Sequence, residues 1–210
     1  MLTDAKARST AYFDLHHASR FAREGYWSFD YKRSIQALEL LRPDNLIDIG
    51  CGPGGFLARM RKELPQIRLF ALDLSEGMVN EVRERFGGSV EATVGDAENM
   101  PLVSEAFEAV TVNMSIHHYP HPQAAVNEMF RILQPGGHLL LEDMDCIPPI
   151  RAIANFVFPR LSGGDVKMYN QREIRAMLEA AGFIVLSYHK ITPWTFLCVA
   201  EKPMTEERSL

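Results

Sequence analysis

The stretch Leu46-Ile47-Asp48-Ile49-Gly50-Cys51-Gly52-Pro53-Gly54-Gly55-Phe56 decides the fold of this chain. An apolar strand pattern runs directly into a glycine-rich turn, and a helical pattern follows the turn. Because glycine lacks Cβ, the turn can adopt positive φ and bring its N–H groups close to a ligand, while the next helix adds the positive end of its dipole. The stretch therefore predicts a ligand-binding turn between a strand and a helix.

Composition limits the class of protein. With 210 residues, 47% hydrophobic and 23% charged, the chain suits one globular domain with some decoration. The net charge of −5 and the lack of any run of five or more Lys and Arg residues disfavour a nucleic-acid partner. Cys51, Cys146 and Cys198 form no C-x-x-C pair, which predicts reduced thiols in a cytoplasmic protein. No leader pattern and no apolar run of the roughly 18 residues that span a bilayer are present, so we expect neither secretion nor membrane insertion.

From residue 45 onward, strand and helix patterns alternate, which predicts βα units on a parallel sheet. The predicted strands are 45–49, 67–72, 89–94, 107–113 and 137–142, and the predicted helices are 54–63, 76–86, 122–133 and 170–181. Phe183–His189 and Thr195–Glu201 are joined by a segment too short for a helical crossover. These last two segments should therefore form an antiparallel hairpin.

Two regions fall outside this alternation. Residues 1–44 are rich in aromatic side chains and predict a helical cap over the site, in front of a main domain at 45–210. An insertion at about 144–169 follows the fifth strand. Ligands of open α/β sheets bind outside the carboxyl ends of the strands, so this insertion is expected to face the substrate.

Acidic residues follow the second and third predicted strands. Asp73 is positioned to accept hydrogen bonds from the ribose of an adenosine-containing ligand, with a surface or N-cap role as the alternative. Asp96, in Gly95-Asp96-Ala97, follows the third predicted strand, where one interpretation is that it caps a local polar turn. Gly50, Gly52 and Gly55 satisfy the G-x-G-x-x-G pattern of dinucleotide binders, so an NAD-dependent oxidoreductase is one alternative.

Histidines follow the fourth predicted strand. His117 or His118 could act as a general base, because imidazole titrates near neutral pH, and packing or helix capping is the alternative role. Together with His121 they also suggest metal ligands. No carboxylate is spaced to complete such a ligand set, so the sequence predicts no metal site.

Taken together, these motifs resemble the class I S-adenosylmethionine (SAM) dependent methyltransferases, in particular the small-molecule "type 11" group. The resemblance covers residues 45–142 and rests on Asp48 to Gly54, Asp73, Gly95-Asp96-Ala97, Ser115-Ile116-His117-His118 and Pro135-Gly136-Gly137. It implies a Rossmann-like, seven-stranded, mostly parallel α/β sheet with helices on both faces and a C-terminal antiparallel hairpin. The implied reaction is in-line methyl transfer from SAM to a small-molecule acceptor.

The resemblance also implies which residues contact SAM. They are Tyr12, Asp48, Gly50, Cys51, Gly52, Gly54, Asp73, Leu74, Asp96, Ala97, Asn113 and Met114. Tyr26 and Trp27 are further candidates, facing the sulfonium or the acceptor through cation–π contact. A non-catalytic, methyltransferase-like regulator or partner subunit is a second alternative, because a fold does not by itself determine function.

Overall fold

The computed structural model describes residues 2–16, 31–161 and 164–204. Its strands form one seven-stranded sheet in the order β3-β2-β1-β4-β5-β7-β6, with the bounds β1 (Asn45–Ile49), β2 (Arg68–Asp73), β3 (Val90–Val94), β4 (Phe107–Asn113), β5 (Leu133–Met144), β6 (Ile184–Thr192) and β7 (Thr195–Glu201). Strands β1 to β5 pair in parallel, and β7 is antiparallel to both β5 and β6. The predicted mostly parallel sheet and its terminal hairpin are confirmed.

Helices cover both faces of this sheet. Those in the described residues are α1 (Leu2–His16), α2 (Lys32–Leu41), α3 (Gly55–Glu63), α4 (Glu76–Phe86), α5 (Pro122–Ile132), α6 (Pro148–Val157) and α7 (Gln171–Ala181). Successive β1 side chains point to opposite faces. Leu46 is buried in the same cluster as residues of α2, α3 and α4, and Ile47 is buried with residues of α5 and α7. Across the described part of the chain, no helix is both long and apolar enough to span a membrane.

Local signals in the sequence set the ends of two helices. Ser75 caps α4, because its side chain accepts a hydrogen bond from the N–H of Met78. Asn170 and Glu173 form a reciprocal capping box at the start of α7, which ends at Gly182 in the left-handed conformation. These ends lie where the turn residues predict them.

Strand β5 differs from its prediction. It begins at Leu133 rather than at residue 137, and the predicted helix before it ends at Ile132. The N–H of Gly136 donates to the carbonyl of Lys202, and the N–H of Lys202 donates to the carbonyl of Gly137. The Pro-Gly-Gly segment is therefore paired with the chain that follows β7, and the β4–β5 register shifts beside it. Non-local pairing of this kind leaves no local signal in the sequence.

The two regions outside the βα alternation contain helices. In the first region, Ile35 and Leu38 of α2 are buried in the same cluster as Leu46, so α2 belongs to one helical layer of the sheet. Tyr26 and Trp27 lie outside the described residues. The division of the chain at residue 44 stays a prediction.

The segment after β5 contains a helix that the sequence analysis did not predict. This helix, α6, is followed by a short 3-10 helix at Phe158–Arg160. Large apolar side chains on α6 remain exposed, among them Ile153 at 65% and Phe156 at 66%. Helix α6 therefore buries little of its apolar surface against the rest of the described chain.

Candidate functional site

A cavity of about 420 Å³ lies at the carboxyl edge of the parallel strands. Its wall is formed by the turn after β1, the end of β2, residues 95–97 after β3 and residues 113–120 around the end of β4 and the segment after it. Helix α1 contributes Lys6, Ser9, Thr10 and Phe13. The strand order reverses between β1 and β4, and ligands of open α/β sheets bind at such a switch point.

The turn after β1 requires glycine at two positions for different steric reasons. Gly50 has φ +71°, and a Cβ there would lie 1.9 Å from the Ser115 Oγ. Gly54 has φ +80°, and its Cβ would lie 2.6 Å from a ring carbon of Phe86. Gly50 thus allows the β1 turn to lie against the segment after β4, whereas Gly54 packs against α4 and is not part of the cavity wall.

Asp73 holds the glycine turn against the end of β2. One carboxylate oxygen accepts from the N–H of Gly52 at 2.8 Å, and the other accepts from the N–H of Ser75 at 2.9 Å. Burial raises the pKa of Asp73, although these two backbone hydrogen bonds oppose the shift. A carboxylate has about four acceptor positions, so Asp73 can still accept from a ligand in the cavity.

Asp48 lies beneath the cavity rather than in its wall. Its side chain is 1% exposed, and one oxygen accepts from Thr111 Oγ1 at 2.7 Å and from Asn113 Nδ2 at 2.9 Å. Burial raises the pKa of Asp48 to about 7, against the effect of these two hydrogen bonds. Asp48 therefore orients Asn113, which does line the cavity.

Helix α1 is tied to the cavity by Lys6. Its Nζ lies 2.6 Å from a carboxylate oxygen of Asp96 and 2.5 Å from one of Glu98. Burial by itself would lower the pKa of Lys6, but the hydrogen bonds to these two carboxylates raise it overall. The sequence analysis missed Lys6, because no local pattern relates it to a carboxylate that far along the chain.

A second contact attaches the same helix to the start of α4. Asp14 accepts hydrogen bonds from the Ser75 hydroxyl and, at 3.2 Å, from the N–H of Gly77. The neighbouring Phe13 lines the cavity and makes an edge contact with His118, with ring centroids 5.2 Å apart. Tyr12 contacts the ring of Phe13 and is not in the cavity wall. Helix α1 therefore covers one side of the cavity.

The two histidines have different surroundings. His117 Nδ1 lies 2.7 Å from Asp143, and its Nε2 lies 3.5 Å from Asp165. Burial favours neutral His117, but the two carboxylates outweigh it and raise the pKa. Burial and the nearby His117 hold the pKa of His118 well below its usual value, and its Nδ1 has no hydrogen-bond partner among the described residues.

The fold brings most of the predicted site residues to one cavity. Those in its wall are Gly50, Cys51, Gly52, Asp73, Leu74, Asp96, Ala97, Asn113, Met114, His117 and His118. Tyr12, Asp48 and Gly54 lie outside it. Ser115 was quoted only as part of a motif and Tyr119 was not named as a site residue, yet their hydroxyls are 2.8 Å apart in the wall; the strand-to-loop change at residue 113 could have indicated both.

Comparison with known proteins finds similarity to methyltransferases. Residues 47–141 match the family model described as a methyltransferase domain. The demethylmenaquinone methyltransferase of Bacteroides fragilis is 27% identical over 139 residues, covering 64% of this chain and 56% of the relative. The phthiotriol/phenolphthiotriol dimycocerosates methyltransferase 1 of Mycobacterium ulcerans is 31% identical over 147 residues, covering 70% of this chain and 52% of the relative. The chain thus spans about half the length of both curated relatives.

A solved structure supports the same fold. The SAM dependent methyltransferase of Aquifex aeolicus superposes with a TM-score of 0.67 at 20% identity, covering 92% of this chain and 98% of that one. Identity at this level shows the fold alone, whereas the family model covers the strands and turns that form most of the cavity. Residues 47–141 therefore match a methyltransferase domain, and the curated relatives that the chain resembles are named as methyltransferases.

Proposed function

We propose that this protein transfers a methyl group from SAM to a small-molecule acceptor. One observation carries the proposal: the glycine turn, Asp73 and Asp96 face a single cavity at the switch point of the sheet. Backbone N–H groups, a carboxylate after the second strand and a carboxylate after the third strand suit the different parts of an adenosine-containing ligand.

The residues of the cavity fit SAM in size and chemistry. A volume of about 420 Å³ is within the usual range of small-molecule sites. Asp73 would accept from the ribose, and Asp96 with the backbone of Ala97 would receive the adenine. Because Lys6 already donates to Asp96, an adenine amine would share that carboxylate with Lys6 or displace it. Gly50, Cys51, Gly52, Leu74, Asn113 and Met114 would complete the contacts.

SAM would supply an electrophilic methyl group whose transfer leaves S-adenosylhomocysteine. The protein's main task would then be to hold the acceptor atom about 3–3.5 Å from that methyl and in line with it. Two features of the cavity serve this task. Asp48 fixes the orientation of Asn113 from below, and α1 screens one side from water through Lys6 and Phe13.

We place the acceptor beside Phe13, His117 and His118, since the glycine turn and the two aspartates are already assigned to binding SAM. The two relatives are named for acting on demethylmenaquinone and on phthiotriol/phenolphthiotriol dimycocerosates. These names support a small-molecule acceptor for this chain. The general-base role of a histidine and the cytoplasmic location remain predictions.

Calorimetry of the purified protein with SAM, S-adenosylhomocysteine and NAD tests the proposal. We expect both sulfur nucleosides to bind and NAD not to bind. Asp73→Ala should weaken SAM binding at least about tenfold, because each charge-assisted hydrogen bond contributes about 1.5–3 kcal/mol. Asp44→Ala, which removes an exposed carboxylate before β1, is the matched control, and circular dichroism checks that both variants fold.

The other results have definite meanings. Binding of NAD without SAM would favour the oxidoreductase alternative, and binding of neither would refute a nucleoside site. Isotopically labelled SAM, incubated with a panel of small quinols, phenols, amines and thiols, then tests for transfer by mass spectrometry. SAM binding without a labelled product across this panel would favour the regulator alternative.

A further inference from the structure

Three metal-ligating side chains converge at the acceptor side of the cavity. They are His117, His118 and Asp165, and their ligand atoms all lie within 4.8 Å of one another. Asp165 Oδ1 is 3.5 Å from His117 Nε2 and 3.8 Å from His118 Nδ1. In a tetrahedral site with bonds of about 2.0–2.2 Å, two ligand atoms are about 3.4 Å apart. Small movements would therefore bring these atoms to bonding distance of one ion.

Each imidazole presents a nitrogen toward this point. His117 is held through Nδ1 by Asp143 at 2.7 Å, which leaves Nε2 directed at Asp165. A carboxylate bound to the far nitrogen of a histidine is the usual outer partner in metal sites, where it fixes the ring and raises its basicity. His118 Nδ1 is buried without a hydrogen-bond partner among the described residues. Such an unpaired buried atom is costly unless a ligand satisfies it.

The backbone holds Asp165 in this position. The N–H groups of Val166 and Lys167 donate to the carbonyl of His117 at 2.8 and 3.2 Å. On the other side, the preceding Gly164 packs so closely on α1 that a Cβ there would lie 2.6 Å from Ser9 Cβ. The carboxylate is thus carried by a loop fastened both to the histidine turn and to α1, which is the preorganisation that a metal site needs.

We propose that His117, His118 and Asp165 bind one divalent first-row transition-metal ion, with Asp143 as the positioning residue of His117. Two histidines and one carboxylate form a recognised ligand set for zinc and for iron(II) that leaves coordination positions open. Both imidazoles line the cavity, so an ion here would present its open positions to the acceptor. The sequence analysis predicted no metal site because it found no carboxylate beside the histidines, and the tertiary structure supplies one.

Only the consequence for catalysis rests on the proposed function. An acceptor hydroxyl bound to the ion would lose its proton to water more readily, because the cation stabilises the oxyanion. The oxygen would then attack the methyl group of SAM, forming the O–C bond as the S–C bond breaks. In this arrangement the histidines act as ligands rather than as general bases.

The test is a Zn²⁺ titration of the chelator-treated full chain by calorimetry, with metal content measured by mass spectrometry. We expect one Zn²⁺ per wild-type chain and a loss of affinity of at least about 100-fold in Asp165→Asn and in His118→Gln. Asp143→Asn should weaken binding about 10- to 100-fold. His121→Gln replaces an exposed histidine of the same segment outside the cluster and should bind as the wild type does.

Two results would overturn the proposal: no Zn²⁺ bound to the folded wild type, or equal affinity in the wild type and in Asp165→Asn and His118→Gln. SAM calorimetry on the same metal-free protein separates this proposal from the previous one. SAM binding without Zn²⁺ binding would refute only the metal site. Zn²⁺ binding that depends on Asp165, without SAM binding, would refute only the proposed function.

Discussion

Replacing Asp48 with asparagine should remove a pH dependence of stability that the wild type carries. The carboxyl is 1% exposed, and its pKa rises from 3.8 to about 7 on folding, chiefly because burial disfavours the charge. Between these two values the folded state binds more protons than the unfolded state, so stability falls as pH rises. Asparagine at this position carries no charge, and its side-chain oxygen can still accept the hydrogen bonds from Thr111 and Asn113.

The size of the effect follows from the shift. A difference of about three pKa units is worth about 4 kcal/mol in full, at about 1.4 kcal/mol per unit. The contribution of Asp48 to the free energy of unfolding is fully favourable below its pKa in the unfolded state. It is lost as the pH rises through its pKa in the folded state. Between pH 5 and pH 8 the free energy of unfolding of the wild type should therefore fall by about 2–3 kcal/mol relative to Asp48→Asn.

Urea unfolding followed by circular dichroism, at intervals from pH 5 to pH 8, measures this difference, because titrating groups that do not interact with Asp48 contribute equally in the two proteins. Asp44→Asn removes an exposed carboxylate near β1 and should follow the wild type throughout. If the difference in free energy of unfolding between the wild type and Asp48→Asn is constant over this range, burial does not raise the pKa of Asp48 and the prediction is wrong.

Three further predictions concern packing. Asn170→Ala removes the capping box of α7 and should lower the free energy of unfolding by about 1 kcal/mol in urea; an unchanged midpoint would contradict it. Gly54→Ala should cost about 1–3 kcal/mol, because its Cβ would lie 2.6 Å from Phe86, whereas Gly88→Ala meets nothing within 4 Å and should differ little from the wild type. Cys146 and Cys198 are buried outside the cavity wall, so they should resist alkylation at pH 8 until unfolding, as mass spectrometry would show, and rapid labelling would argue against their burial.

The sequence predicted the architecture well because its signals are local. Alternating apolar strands and helical stretches gave the order of elements, and β4 and β7 begin and end at the predicted residues. Ser75 and Asn170 cap helices through their nearest backbone neighbours. The glycine turn and Asp73 follow strands whose carboxyl ends must meet in a parallel sheet, so their approach was predictable too.

Only the tertiary structure decided which distant side chains meet. Lys6 contacts Asp96, which is 90 residues further along the chain, and Asp165, which follows α6 in the sequence, lies beside the two histidines. Asp48 lies beneath the cavity, where its side chain is paired with the neighbouring Thr111 of β4 and accepts its hydroxyl hydrogen bond. Spacing along the chain determines secondary structure through short-range sterics and hydrogen bonds, whereas contacts such as these depend on how the finished elements pack against one another.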